Sequence, residues 1–338
     1  MSNALTCLDV GFAYGGRSVL RGVRMAAAAG RVTVLVGPSG TGKTTLLWIL
    51  AGLLRPTTGR VVLAADATSP DAAPPFESGR ARIGMVFQTP ALWDHLTVRR
   101  HLDLVLAGSN LGQTERRRRV DRLLDQMGLA SLAERRPGRM SGGERQRLAI
   151  ARALVGGPEW LLLDEPLAHL DGPTRADVFD LLRGALAETR AGVVLATHNT
   201  DEAVRLADDV VVLLDGSVAQ VGQTEQVYRR PVSLAAARAL GPASEISGEA
   251  RGGVLTRDGT AVLEGLAPER SGPQRLILRP EDLEFRPDPA GAARVARCER
   301  VGGAYHLGVE VAGASVWVRH AEGCPVGTTG HLALVRRG

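Results

Sequence analysis

Short apolar runs rich in Val, Ile and Leu recur along the first part of the chain: RVTVLVG (31–37), RIGMVFQ (82–88), WLLLDE (160–165), GVVLATH (192–198) and DVVVLLDG (209–216). Each is too short for a buried helix, and its β-branched content predicts a buried strand. Stretches of helical periodicity lie between them, at 99–107, 115–127, 144–154 and 174–187. Strands alternating with helices predict an α/β unit, a mainly parallel sheet covered on both faces. DATSPDAAPPFESG (66–79) has no buried periodicity and reads as a loop.

The pattern changes near LGPASEISG (240–248). Beyond it come GVLTRDGTAVL, RLILRPEDLEF, YHLGVEVAGASVWVRH and HLALV, alternating runs separated by Gly and Pro. Strands at such spacing predict a small antiparallel β-barrel or sandwich. We therefore expect two domains, 1–235 and 236–338, which suits a chain of 338 residues.

Composition narrows this picture a little. With 44% hydrophobic and 23% charged residues the chain has an ordinary globular make-up, and 4% aromatics leave the cores aliphatic. No apolar run approaches the roughly 18 residues that span a bilayer, so any membrane role is expected to run through a partner. The N-terminal MSNALTCLDVGF lacks the marks of a signal peptide. A net charge of +5 is compatible with nucleic acid or an acidic membrane, but the arginine run at 116–119 reads first as a solvated helix face. Cys7, Cys298 and Cys324 have neither metal-ligand spacing nor even pairing, which fits a reducing compartment without structural zinc.

The candidate chemistry begins at GPSGTGKTT (37–45). The segment matches G-x-x-x-x-G-K-[ST], follows a predicted strand and opens a helix-compatible run, TTLLWILAGL. Its residues, Gly37, Pro38, Ser39, Gly40, Thr41, Gly42, Lys43, Thr44 and Thr45, form a phosphate cradle. Glycines let successive N–H groups point inward, and the helix adds its positive end. Lys43 is expected at the β and γ phosphates and the Thr44 hydroxyl at magnesium. WLLLDE ends in two acids where the strand reaches the carboxyl edge of the sheet, the place such sheets bind ligands. Asp164 is the candidate magnesium ligand, and Glu165 the group that orients or deprotonates attacking water. Gln88 and His198 also close strands of this sheet and are candidates to sense the γ-phosphate.

RMSGGERQRLAIARAL (139–154) raises a different question, because two adjacent glycines head an otherwise strong helix. Each costs about 1 kcal/mol there relative to alanine. Ser141 and Glu144 have the S-x-x-E spacing of a capping box, which does not explain Gly142 and Gly143. A bare helix N-terminus that meets a phosphate does.

Taken in order, these motifs resemble the ATP-binding subunit of ABC transporters over roughly residues 4 to 235. GPSGTGKTT resembles its phosphate loop, VFQ its glutamine loop, MSGGE its signature, LLLDEP its magnesium strand with the catalytic glutamate, AHLD the loop after it and ATHN its switch histidine. FAYGG resembles the loop whose aromatic residue, here Tyr14, stacks on adenine. The resemblance implies the P-loop ABC fold with an antiparallel β subdomain and a helical subdomain, ATP and Mg2+ as ligands, and Gln88 beside Thr44 and Asp164 at the metal. It implies a head-to-tail dimer in which Ser141, Gly142, Gly143 and Glu144 meet the ATP of the other subunit, with Asp171 in the loop that lines the shared site. VGQTEQVYRRPVSLAAARALG followed by LILRPEDLEF resembles importer ATPases that carry a C-terminal OB-like barrel called TOBE.

Expected partners are therefore a second ATP-binding subunit, an integral membrane permease and a separate substrate-binding protein, with the chain held at the cytoplasmic face of the membrane. No nucleic acid is expected. Glu144, Met140 and Asn199 stand where the family more often has Gln, Leu and Asp, and Asp94 where the importer pattern often has Pro. The rival classes are a soluble ABC-type ATPase acting on nucleic acid or the ribosome, and the ATPase of an exporter.

Overall fold

The computed structural model describes residues 4–64 and 82–335; the loop reading at 66–79 lies outside them. The chain divides into two compact units, Met1–Arg229 and Arg230–Gly338.

The first unit opens with β1 (Ala4–Tyr14) and β2 (Arg17–Ala28), followed by β3 (Val32–Val36), α1 (Lys43–Leu50), β4 (Thr58–Ala64) and β5 (Ile83–Val86). Next come α2 (Val98–Leu106), α3 (Gln113–Gln126), α4 (Gly142–Val155), β6 (Trp160–Asp164), α5 (Gly172–Glu188) and β7 (Gly192–Ala196). It ends with α6 (Thr200–Leu206), β8 (Asp209–Leu214), β9 (Ser217–Gln223) and α7 (Thr224–Arg229). The five predicted strands are β5, β6, β7, β3 and β8, side by side in that order and parallel, with β9 antiparallel on β8. The four predicted helices are α2 to α5. All the runs predicted as strands overreach at their carboxyl ends; in four of the five the extra residues include candidate site residues in the turn beyond, and in the fifth they are the turn into β9.

A second, antiparallel sheet has the order β2-β1-β4. Pattern reading does not locate it, because the β1 register shifts between Cys7 and Val10 and again between Val10 and Phe12, which breaks the alternation. Its inner face, with Leu5, Val10, Leu20 and Val23, packs in one core with α1 and with Leu35, Leu162, Val194 and Val211 of the parallel sheet. Helix α1 is wedged in this core, burying Leu46, Leu47, Ile49 and Leu50, so it is apolar on most sides. That burial fixes the position of the loop at its head.

The second unit holds α8 (Leu234–Arg238) and the strands β10 (Ser244–Arg251), β11 (Val254–Arg257), β12 (Thr260–Glu264), β13 (Gly272–Leu278) and β14 (Leu283–Pro287). These are followed by β15 (Ala293–Val301), β16 (Ala304–Val311), β17 (Ala314–His320) and β18 (Thr329–Leu334). They form one sheet, antiparallel except where β12 meets β18. Trp317 N–H donates to Ser244 Oγ at 3.0 Å and so ties β17 to the start of β10. Alternate residues, including Leu255, Leu263, Phe285, Val295, Leu307, Val316 and Leu332, fill an aliphatic core of its own.

Candidate active site

The parallel register aligns the carboxyl ends of four strands. Asp164 of β6 lies opposite Ala196 of β7, Leu35 of β3 lies opposite the same Ala196, and Val86 of β5 lies opposite Leu163. The turns that follow therefore emerge at one edge: the loop 37–42 after β3, Gln88 after β5, Glu165 after β6 and His198 after β7.

The loop 37–42 is built by tight packing at both ends. A Cβ at Gly37 would lie 2.1 Å from Leu213 O, and one at Gly42 would lie 2.6 Å from Leu20 Cδ2. Gly42 also caps α1 at φ 96°, a left-handed backbone that a side chain would strain. Pro38, Ser39 and Gly40 are exposed at the crest, while Thr41 turns inward and its hydroxyl donates to Pro38 O at 2.9 Å. Lys43 Nζ donates to Gly37 O (2.8 Å) and Pro38 O (3.0 Å), which holds the ammonium across the mouth of the loop. Thr45, one residue beyond Thr44, is buried in α1.

Thr44 Oγ1 donates to Asp164 Oδ1 at 2.9 Å, so these two candidate magnesium ligands are adjacent. Asp164 is 2% exposed, and burial pushes its carboxyl above the ordinary range, with the Thr44 hydroxyl opposing. Burial likewise pulls the Lys43 amine down, against the pull of Glu165 and Asp164. Each charge is thus under-solvated. A phosphate beside Lys43 and a cation beside Asp164 would each restore the charged form.

Glu165 has φ 43°, the left-handed region, at a cost of order 1–3 kcal/mol. Its N–H donates to Ala196 O at 2.9 Å, which holds the turn. The twist lifts the carboxylate off the strand line. There Oε2 stands 3.1 Å from His198 Nδ1 and accepts from Gln88 Nε2 at 3.4 Å. Gln88, Glu165 and His198 are therefore one cluster.

Ser141, Gly142, Gly143 and Glu144 sit at the head of α4. Among the described residues no hydrogen bond joins them to that cluster. The capping box is formed: Glu144 N–H donates to Ser141 Oγ (3.2 Å), and Ser141 N–H donates to Glu144 Oε2 (2.7 Å). The two glycines have different surroundings. Gly142 is exposed, with nothing nearer its missing Cβ than Leu170 Cδ2 at 3.9 Å. Gly143 is buried, and a Cβ there would meet Thr174 Cγ2 at 2.4 Å. Its missing side chain lets α4 press against α5, a packing reason for the second glycine beside the expected one of an unobstructed amide. Asp171 caps α5, accepting from Thr174 N–H at 3.0 Å, and that bond holds its carboxyl below the usual range. Tyr14 is half exposed and meets Phe12 edge-on, with centroids 4.7 Å apart.

Sequence reasoning missed several supporting residues. Thr197 Oγ1 accepts from Asn199 N–H (3.0 Å) and donates to Glu202 Oε2 (2.8 Å), which pins the turn that carries His198. Glu202 is 7% exposed, and burial pushes its carboxyl up. The signal was Asn199, whose side chain accepts from Asp201 and Glu202 N–H as a helix cap. Arg175 donates to Leu167 O and Leu170 O and so braces the loop after Glu165.

Comparison with known proteins decides the family. A family profile described as ABC transporter matches residues 20–168. An Fe(3+) ions import ATP-binding protein of Rhodococcus jostii is 36% identical, over 92% of this chain and 88% of its own. A sulfate/thiosulfate import ATP-binding protein of Synechococcus elongatus is 37% identical, over 88% and 81%. The chain belongs to the ATP-binding subunits of ABC transporters. Solved structures agree. A Clostridium perfringens subunit of an ABC transporter complex superposes with a TM-score of 0.59 at 30% identity, over 68% of this chain and 92% of its own. A dimeric ATP-binding cassette in a post-hydrolysis state with ADP and Pi gives 0.56 at 30%, over 65% and 98%. This ABC subunit is accordingly an ATP-hydrolysing enzyme of the import type, and the soluble nucleic-acid alternative is not favoured. Among the described residues no helix is long and apolar enough to cross a membrane.

Proposed function

We propose that this ABC subunit pairs with a second copy of itself, encloses two ATP molecules between phosphate loops and signature helices, and uses their hydrolysis to drive an importing permease. The observation that carries the reading is the convergence of Lys43, the Thr44–Asp164 pair and the Gln88–Glu165–His198 cluster on one sheet edge. Lys43 leaves its loop carbonyls for the β and γ phosphates, exchanging weak dipoles for full negative charge. Glu165 accepts a proton from the water that attacks the γ-phosphorus. As the new P–O bond forms, the bond to the β–γ bridging oxygen breaks, and ADP and phosphate result. His198 and Gln88 fix the carboxylate and meet the γ-phosphate oxygens. Catalysis is chiefly positioning and charge stabilisation.

The oxygen donors Thr44 and Asp164 fit Mg2+, which binds few protein groups and keeps waters and phosphate oxygens as its other ligands. When bound, Mg2+ neutralises charge on the phosphates, and Gln88 joins the two at that site. Tyr14 stacks on the adenine. Ser141 and the Gly142 and Gly143 amides of each copy meet the γ-phosphate held by the other, and Asp171 lies in the loop lining that shared site.

A cavity of about 990 Å3 lined by Phe87, Trp93, Val105 and Leu106, with Arg82, Arg119 and Arg152, opens beside the glutamine loop. It is the surface on which the permease docks, which places the chain peripherally at the cytoplasmic face. The domain at 236–338 is the TOBE-like barrel. A substrate-binding protein completes the system and, with the permease, selects the cargo. Relatives of nearly equal identity carry ferric-ion and sulfate names, so this subunit does not set it.

The test is Glu165→Gln. We expect ATP binding to be retained, turnover to fall about 10²–10⁴-fold as for loss of a general base, and an ATP-stabilised dimer to accumulate. Captured from gently solubilised membranes with ATP, that dimer should carry a multi-span protein. Near-normal hydrolysis removes Glu165 from its role, and recovery of ribosomes or nucleic acid alone removes the importer. Ser141→Arg should block turnover while monomers still bind ATP.

A further inference from the structure

Arg152 lies near the far end of α4, about 15 Å from Gly142 along the same helix at 1.5 Å per residue. Its guanidinium does not face solvent alone. It donates to Ala91 O at 2.5 Å and Pro90 O at 3.1 Å, and stands 5.2 Å above the centroid of the Trp93 ring. These residues belong to the loop that Gln88 opens. Ala91 sits at φ 47°, a left-handed conformation that an alanine does not adopt unaided. The loop is held from a second side by His101, whose Nε2 accepts from Trp93 N–H at 3.0 Å and whose ring lies 5.3 Å from the indole. One end of the loop is Gln88, bonded to Glu165. Its other side, with Ala91 and Trp93, lines the 990 Å3 cavity.

The seat of α4 supplies a pivot. A Cβ at Gly84 of β5 would lie 2.3 Å from Ala153 O, so helix and strand backbones touch there. A tilt of α4 imposed at its Ser141 head therefore turns about that seat, and Arg152, one residue away, turns with it. A two-carbonyl fork and a stacked ring resist sliding better than a single contact.

We propose that Arg152 is a positioning residue that locks the glutamine loop to the signature helix, so that engagement of the Ser141 head resets both Gln88 at the Glu165 carboxylate and Trp93 at the wall of the cavity. The inference rests on the reading that the Ser141 head meets a γ-phosphate in the partner copy. It goes beyond that reading in naming the side chain that carries the event to the loop.

The experiment uses full-length protein labelled with 5-fluorotryptophan, in the Glu165→Gln background, so that ATP closes the dimer without turnover. The chain has 4 tryptophans, and the Trp93→Phe spectrum assigns the Trp93 19F resonance. With Arg152 intact, ATP should form the dimer by light scattering and move the Trp93 resonance; Ser141→Arg should abolish both. In Arg152→Gln the dimer should still form, with at least half of the Trp93 shift lost. Arg152→Lys, which keeps the charge and loses the fork, should behave likewise and serves where the Gln variant folds poorly. With Glu165 restored, Arg152→Lys should lower kcat several-fold at unchanged KM for ATP, the signature of a displaced Gln88. A dimer with a full Trp93 shift in both Arg152 variants overturns the inference alone. Absence of dimer and shift with Arg152 intact overturns the in-trans reading and the inference with it.

Discussion

A methyl group added at Gly143 meets the γ-methyl of Thr174 at 2.4 Å, whereas one added at Gly142 has its nearest neighbour at 3.9 Å. These distances separate a tightly packed glycine from an open one within one dipeptide. Gly143→Ala overpacks the α4–α5 contact and should destabilise the fold by about 1–3 kcal/mol. Gly142→Ala should be neutral to stabilising by up to about 1 kcal/mol, the helix-propensity gain, yet it should slow ATP turnover because its methyl stands on the exposed helix head. Urea unfolding of both variants checks this. Adding Thr174→Ser, which removes the offending methyl and keeps the hydroxyl, should recover most of the Gly143→Ala loss. If Gly142→Ala proves the more destabilising of the two, the packing assignment is wrong. From sequence, the glycine pair was visible but its difference in packing was not, because Thr174 lies on another helix and only the fold brings it near. The cluster of Gln88, Glu165 and His198 was legible in outline, since each closes a strand of one parallel sheet. The left-handed turn at Glu165 and the Thr197–Glu202 brace were not: the first is held by a backbone bond to Ala196 on another strand, the second by a side-chain bond inside the turn after β7.

Elements show the same limit and one consequence in pH. The parallel sheet was readable because buried strands announce themselves as unbroken apolar runs. The β1–β2 sheet was not located by its pattern, because bulges interrupt its alternation. Helix α2 was readable, but not that its His101 is wholly buried, with Nδ1 2.7 Å from Thr97 O and Nε2 accepting from Trp93. That pair of bonds requires the neutral ring with its proton on Nδ1. Burial holds its pKa below the ordinary 6.5, with Arg152 and His95 acting in the same sense and Asp94 and the Thr97 carbonyl opposing. The unfolded chain therefore binds this proton at higher pH than the folded one. By linkage, stability falls as pH drops below about 6.5 and levels off only once the folded-state pKa is passed. His101→Gln, whose amide oxygen can still accept from Trp93, should flatten the difference between urea midpoints measured at pH 7.5 and 5.5. An unchanged slope would assign the acid sensitivity to other groups.

On the scale of the whole molecule, what ATP can stabilise depends on the described residues of each unit having an aliphatic core of their own. The first core is built around α1, which carries the phosphate loop at its head. The second belongs to the strand-rich unit, Arg230–Gly338, and contains no member of the candidate site. The change of architecture near residue 240 was legible because short alternating runs replace the long helical spacings. The strand order was not, because the parallel contact of β12 with β18 pairs Glu264 with Ala333, far apart in sequence and unmarked by any turn. With a core in each unit, calorimetry should resolve two unfolding transitions. ATP at about 100 times its Kd adds about 2.7 kcal/mol to whatever binds it. For a unit of this size that raises the first transition by about 5–10 °C, and the second should stay where it is. Lys43→Ala, which removes the ammonium from the loop, should abolish the rise while leaving both transitions in place. If ATP instead moves both transitions together, or only one transition is seen, the two cores unfold as one. The strand-rich unit would then be a structural part of the ATPase, and truncation at residue 229 should cost ATP binding as well as any function of its own.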